Sequence, residues 1–224
     1  MKNYIKNKNN LNVGNFITVD SINIIVKDDL KFDMNLDDVK EVLLSLPRNF
    51  LANLDYIMFG DFGFLKEKGY NASYADSVIY VSNEQSGNSD VMDDIIHEIG
   101  HSVEERYEHL IYGDGLIEME FMKKRKSLSR EMKKSGIEIP ENLYMNPQYD
   151  EQLDDIFANQ IGYPTMTAIV QGIYYSPYAA TSIREYFANG FEAYFYHKDI
   201  YLKKVSPLLF AKLEELEMGE NHEI

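Results

Sequence analysis

Hydrophobic and polar positions change rhythm part-way along the chain. From Phe16 to Leu30 the segment FITVDSINIIVKDDL clusters and alternates β-branched residues with a break near Asp20 and Ser21, which predicts strand structure in two pieces. Val39, Val42, Leu43 and Leu46 then recur at helical spacing. That predicts a helix capped by Asn35 and stopped by Pro47. Short apolar runs at Tyr56 to Phe59 and at Ser77 to Ser82 (SVIYVS) predict two more strands, the first ending at Gly60. After a Gly/Ser/Asn turn at 86–89 the period becomes helical. Helices are expected over Asp90 to about Tyr107, Leu116 to about Lys134, Tyr149 to Gln160, Ser182 to about His197 and Pro207 to Glu217, the last with Ser206 as its cap.

Strands early and helices late are the order of an α+β domain, not of alternating βαβ units. No internal repeat and no Gly/Pro linker divides the chain. The expectation is therefore an Asn/Lys-rich flexible leader over 1–15 and a single domain over 16–224, with a helical insertion at about 108–175.

Composition narrows the function classes. The formal charge of −15 opposes binding to nucleic acid, whose phosphates draw most of their affinity from cationic groups, and opposes docking on an anionic membrane surface. With no cysteine, disulfides, thiolate metal clusters and a Cys nucleophile are excluded, so metal chemistry must use His and carboxylates. No apolar run serves as a signal-peptide core or a membrane span, which leaves either a chain that stays where it is made or one whose leader was removed before this numbering. One stretch reverses the charge: KKRKSLSREMKK, Lys123 to Lys134, is expected to be a solvated basic face.

The chemistry concentrates in DDIIHEIGHSVEE. His97, Glu98 and His101 form HExxH, and residues four apart lie only about 40° apart around a helix, so both imidazoles reach one cation from a rigid face. Glu98 is placed to hold a metal-bound water and accept its proton. Met92, Ile95, Ile96, Ile99 and Val103 fall on the opposite side, so core and chemistry occupy different faces. Asp90 is the expected N-cap, with Asp93 imitating a capping box, and Asp94 and Glu104 are candidates to orient the imidazoles.

Zn2+ is the expected cofactor, and a catalytic zinc needs a third protein ligand. The HExxHxxGxxH form is excluded because Glu104 and Tyr107 stand where Gly and His would be required. Asp114 in YGDG, His109, and Glu185 in IREYFANGFEAYF are the candidates. Glu185 is favoured because Ile183, Phe187, Gly190 and Tyr194 share one helical face while Glu185, Asn189 and Glu192 line the other; Asp114 sits in a Gly-flanked turn expected to be mobile.

With HEIGH at 97–101 and Glu185 inside EYFANGF, the chain resembles the gluzincin-type zinc metallopeptidases related to anthrax lethal factor and to the secreted Pro-Pro endopeptidases, in which an EFFAEAF helix supplies the glutamate ligand. The resemblance covers about the second half of the chain. It implies a zincin-like metallopeptidase domain, a small mixed sheet packed on the active-site helix, a peptide or protein substrate, and zinc held by His97, His101 and Glu185 with Glu98 as general base. It also implies an oxyanion-stabilising tyrosine seven residues before the ligand glutamate, where Tyr178 stands. Two features depart from the pattern: Asn189 replaces a carboxylate that supports a His ligand, and the stretch from His101 to Glu185 is long. Asn189 keeps open the alternative of a zinc-binding protein that recognises peptides without cleaving them. A 2-His-1-carboxylate iron enzyme is a further rival. The strand SVIYVSN is equally compatible with the edge to which an extended peptide adds and with an ordinary core strand.

Overall fold

The computed structural model describes residues 16–220, and the leader expected over 1–15 lies outside them. These residues form two compact units, one ending at Ser102 and one beginning at Val103. The boundary falls inside a helix, where no Gly/Pro linker signal arises. The class is α+β, with a small mixed sheet of five strands first and a helical C-terminal half after it.

In the first unit β1 (Phe16–Val19) and β2 (Ile22–Val26) pair antiparallel through a two-residue turn in which Asp20 takes φ +53°. Helix α1 (Leu36–Ser45) follows, with the Asn35 side chain accepting from the Asp37 N–H and with Val39, Val42, Leu43 and Leu46 buried. It crosses over to β3 (Tyr56–Gly60), which pairs parallel with β2. A single 3₁₀ turn, Arg48–Leu51, and a short helix α2 (Gly63–Lys68) fill the connections. Strands β4 (Ala72–Ala75) and β5 (Val78–Ser82) complete the sheet in the order β1-β2-β3-β5-β4.

Strand β5 is therefore interior, between β3 and β4, and the edge beside it is β4. Of the two readings open for SVIYVSN, the interior strand is the one observed. β4 escaped the sequence reading for a physical reason: it is four residues long, and its hairpin to β5 turns through Asp76 and Ser77 with φ +51° and +64°. A two-residue turn with both φ values positive is ordinarily signalled by Asn-Gly or Asp-Gly, and neither is present.

Helix α3 (Asn88–Tyr112) carries the HExxH motif and leaves helical geometry at Tyr107. It starts two residues before Asp90, which lies in the first turn instead of capping it.

The second unit contains α4 (Leu116–Lys134), α5 (Glu141–Tyr144), α6 (Glu151–Asp155), a π-helical stretch Ile156–Gly162, α7 (Tyr163–Val170), a 3₁₀ turn Tyr178–Ala180, α8 (Ile183–Phe195), α9 (Tyr201–Val205) and α10 (Pro207–Glu220). Its core holds Phe121, Phe157, Tyr174, Tyr186, Phe187 and Phe191. At Gly190 an added Cβ would run into the Leu209 side chain, so glycine lets α8 approach α10 closely.

The basic stretch is a solvated face only in part: Lys123, Lys126, Arg130, Lys133 and Lys134 are exposed, whereas Lys124 and Arg125 are buried. Arg125 is 0% exposed, with Nη1 donating to the Tyr144 carbonyl at 3.1 Å and Nη2 to the Thr181 carbonyl at 2.8 Å. Lys124 is also buried and donates to the Ile173 and Val205 carbonyls, and its burial pulls its pKa down to about 8. Nor is Ser206 the side-chain cap of α10. The N–H groups of Leu208 and Leu209 donate to the Glu120 carboxylate at 3.1 and 3.0 Å, and Tyr186 Oη donates to the same group at 2.7 Å. A carboxylate at a helix N-terminus meets the positive end of the dipole as well as unpaired donors. Among the described residues no helix is long and apolar enough to cross a membrane.

Candidate metal centre

On α3 the burial alternates in pairs. Val91, Met92, Ile95, Ile96, Ile99 and Val103 are buried, whereas His97, Glu98 and His101 are half-buried on the other side. A helical period of 3.6 turns this sequence spacing into two faces. The result is that ligand atoms of His97, Glu98 and His101 all lie within 4.8 Å of one another, with the two imidazole centroids 5.0 Å apart and their planes at 80°. The three groups can converge on one cation. Two imidazoles with a carboxylate at hand, and no sulfur, form a donor set suited to zinc.

Sequence reasoning missed the partner of Glu98. The backbone N–H of Tyr74, on edge strand β4, donates to Glu98 Oε2 at 2.6 Å. This bond fixes the carboxylate beside the sheet edge. A backbone donor leaves no trace in side-chain periodicity, so only recognition of β4 as a strand could have signalled it. Asp94 accepts from Gln85 Nε2 at 3.0 Å.

Glu185 and Tyr178 belong to the second unit, on consecutive elements. Ser182 caps α8 by accepting from the Glu185 N–H at 3.1 Å, which fixes Glu185 in the first turn. Just before it lies the 3₁₀ turn that begins at Tyr178, and the Tyr178 carbonyl accepts from both the N–H and the hydroxyl of Thr181 at 2.9 and 2.8 Å. The local field is acidic. Burial raises the Asp154 carboxyl above the usual range, and the neighbouring charges of Glu185 and Asp155 add to the rise.

The expected two-faced character of α8 holds only in part. Ile183, Phe187 and Gly190 are buried and Glu185 and Glu192 half-buried, but Asn189 is buried too, at 7% exposure. Its Oδ1 accepts from the Ser176 hydroxyl at 3.0 Å, so a polar residue placed on the outer stripe by periodicity is an internal hydrogen-bonding group.

The other candidate ligands have structural roles. Asp114 is exposed in its Gly-flanked turn but has partners of its own. Its Oδ1 accepts from the Leu116 N–H at 2.9 Å and its Oδ2 pairs with Lys212 at 2.9 Å, and these partners hold its carboxyl below the usual range. His109 is exposed near the end of α3, where its carbonyl accepts from the Gly113 N–H. Glu104, with 4% exposure, accepts from Tyr112 Oη at 2.6 Å and from Arg184 Nε at 2.9 Å. It lines a cavity of about 510 Å³ with Glu105, Glu108, Glu118, Tyr112 and Arg184. Burial, reinforced by the Glu104 charge, raises the Tyr112 phenol far above its ordinary range.

No protein-family model and no curated protein matches this chain.

Proposed function

We propose that this protein is a zinc-dependent endopeptidase. The observation that carries the reading is the convergence of His97, Glu98 and His101 on one helix face, with Glu98 tied to the backbone of a sheet edge. A non-hydrolytic site built on two His and a carboxylate has no need of a glutamate immediately after the first His, held beside a strand edge.

In this reading His97, His101 and Glu185 would hold the ion, with Glu185 assigned from its helix position and from the resemblance of EYFANGF to a ligand-bearing helix. Bound zinc lowers the pKa of a coordinated water toward neutrality and polarises a carbonyl. The protein's own residues supply the rest. Glu98 accepts the proton of the attacking water and passes it to the leaving amine nitrogen. Tyr178 donates a hydrogen bond to the carbonyl oxygen as negative charge develops on it. An extended peptide adds to β4 as a further strand, taking over the Tyr74 N–H and bringing its scissile bond beside the Glu98 carboxylate that this N–H holds in the free protein. Against Asp114 as a ligand stand its own partners, because moving it to a metal would strip Leu116 of its acceptor and Lys212 of one of its two carboxylate partners.

The test is elemental analysis joined to peptide-library cleavage read by mass spectrometry. Wild type should carry about one zinc and cleave. Joint replacement of His97 and His101 by Ala should abolish the zinc, Glu185→Ala should weaken its binding at least about tenfold, and Asp114→Ala should leave it unchanged. Glu98→Gln should keep the metal and lose on the order of 10²-fold or more in turnover. Cleavage by Glu98→Gln at the wild-type rate would refute the hydrolytic assignment.

A further inference from the structure

Asn189 stands four residues after Glu185, where the resemblance expects a carboxylate supporting a His ligand. Its surroundings in the second unit assign it a different task. Its Oδ1 accepts from the Ser176 hydroxyl at 3.0 Å, and the same Ser176 oxygen accepts from the Ala179 N–H at 3.3 Å. The serine thereby bridges α8 to the 3₁₀ turn that Tyr178 begins. From the other end, Thr181 clasps the Tyr178 carbonyl with its N–H and its hydroxyl, and the Thr181 carbonyl is in turn held by Arg125 Nη2 at 2.8 Å. The next residue but one, Ile183, donates its N–H to the Pro147 carbonyl at 2.8 Å. A three-residue turn has almost no hydrogen bonds of its own, so its conformation is set by what grips its ends. Here one grip is the Asn189–Ser176 pair and the other is Arg125.

We propose that Asn189 is a positioning residue for Tyr178. Through Ser176 it fixes the turn that presents the phenol, while Arg125 fixes the turn's far end at Thr181. The inference rests on the peptidase reading, within which Tyr178 is the oxyanion donor. The chemistry of the position agrees. A site with 7% exposure and a hydroxyl donor calls for an acceptor, and an amide supplies one without burying a charge. Asparagine here is thus no sign of lost activity; it is the anchor that a neutral hydroxyl partner requires. A donor meant for a developing oxyanion acts only if it is already in place when the charge appears, which is why a loose turn would lower turnover without lowering affinity.

The experiment uses the full chain and three readouts: hydrogen–deuterium exchange over 176–182, zinc content, and steady-state cleavage. Ser176→Ala and Asn189→Leu should speed exchange in that segment about tenfold. They should lower kcat about tenfold with KM and zinc content unchanged. Ser176→Thr, which keeps the hydroxyl, should restore both exchange and kcat. In a Tyr178→Phe background the loss from Ser176→Ala should vanish, because the group it positions is already gone. Unaltered exchange in Ser176→Ala would overturn the clamp, and an equal kcat loss with and without Tyr178 would overturn its link to the phenol. Should Asn189→Leu fail to fold, Ser176→Ala decides the matter alone. A zinc-loaded wild type inert on peptide libraries would instead overturn the peptidase reading, and the oxyanion role with it, while the exchange data still judge the clamp.

Discussion

Helices α3 and α8 carry the residues proposed as metal ligands, yet they are built on opposite plans. Over 91–101 of α3 the apolar side chains are buried while His97, Glu98 and His101 are half-buried, so a hydrophobic face fixes the helix and the polar groups stay accessible behind it. On α8, Tyr186, Phe187, Ala188, Asn189, Gly190, Phe191 and Ala193 are all buried, and the helix is enclosed on most sides. There polar groups inside the protein hold one another: Asn189 with Ser176, Arg125 with two carbonyls, Glu120 with Tyr186 and the first turn of α10. The lesson is that the first plan is stabilised chiefly by burial, which is non-directional and tolerant. The second depends on directional bonds in a dry setting, where a lost partner leaves an unsatisfied group.

Removing Arg125 should break the second plan hardest. Arg125→Ala leaves the Tyr144 and Thr181 carbonyls without their donor and opens a cavity where a whole guanidinium packed on the Phe121 ring. The expected loss is about 3 to 5 kcal/mol, the sum of an unpaired-acceptor penalty and a large-to-small cavity term. Urea unfolding followed by circular dichroism measures it. A loss below about 1 kcal/mol would mean that the buried polar network contributes little and that the two plans do not differ in kind.

The same contrast explains what could be read from the residues. On α3, HExxH and the run Met92, Ile95, Ile96, Ile99, Val103 agree with the observed burial, because amphipathic spacing is what burial of one face selects. The boundaries of α4 at Leu116 and Lys134 were legible for the same reason, and of its basic run, expected to be solvated, five cations are exposed while Lys124 and Arg125 are buried. Periodicity counts a charged residue as outward unless its partner is known, and here the partners are backbone carbonyls 19 to 81 residues away. Strand β4 and the Tyr74 donor to Glu98 were hidden because backbone groups carry no residue identity. Ser206 looked like the cap of α10, but Glu120, distant in sequence, takes the N–H groups.

Lys124 sharpens the comparison through pH. Burial lowers its folded-state pKa to about 8 from an ordinary value of 10.5, so the unfolded chain binds this proton more tightly. The penalty of holding the ammonium in a dry site is fully present below pH 8 and fades as pH rises toward 10.5, which means that stability increases with pH in that window. The neutral amine keeps two hydrogens, enough for the Ile173 and Val205 carbonyls. Between about pH 8 and pH 9.5 the gain should be between about 1 and 2 kcal/mol. Above pH 10 the buried phenols of Tyr174 and Tyr186, whose pKa values burial raises, reverse the slope. Urea midpoints across pH 7.5 to about 9.5 should therefore rise in wild type and stay flat in Lys124→Met. Parallel slopes in the two proteins would assign the effect to other groups.

The smallest expected effect lies in the first unit, on the tolerant plan. Asn35 is exposed; its Oδ1 accepts from the Asp37 N–H at 3.1 Å and its carbonyl accepts from the Asp38 N–H at 3.1 Å. Asn35→Ala removes the first of these bonds and keeps the second, and water can reach the N–H group set free. Meanwhile Val39, Val42, Leu43 and Leu46 go on burying the inner face of α1, and Asp37 and Asp38 still meet the positive end of the helix dipole. The loss should be roughly 0.5 to 1 kcal/mol, several times smaller than for Arg125→Ala, even though both substitutions delete a side chain that hydrogen-bonds to backbone. Exposure is the difference: an orphaned group at a wet helix end finds a new partner, whereas a dry carbonyl finds none. Equal losses for Asn35→Ala and Arg125→Ala in the same urea titration would show that dryness is not what makes the second plan fragile.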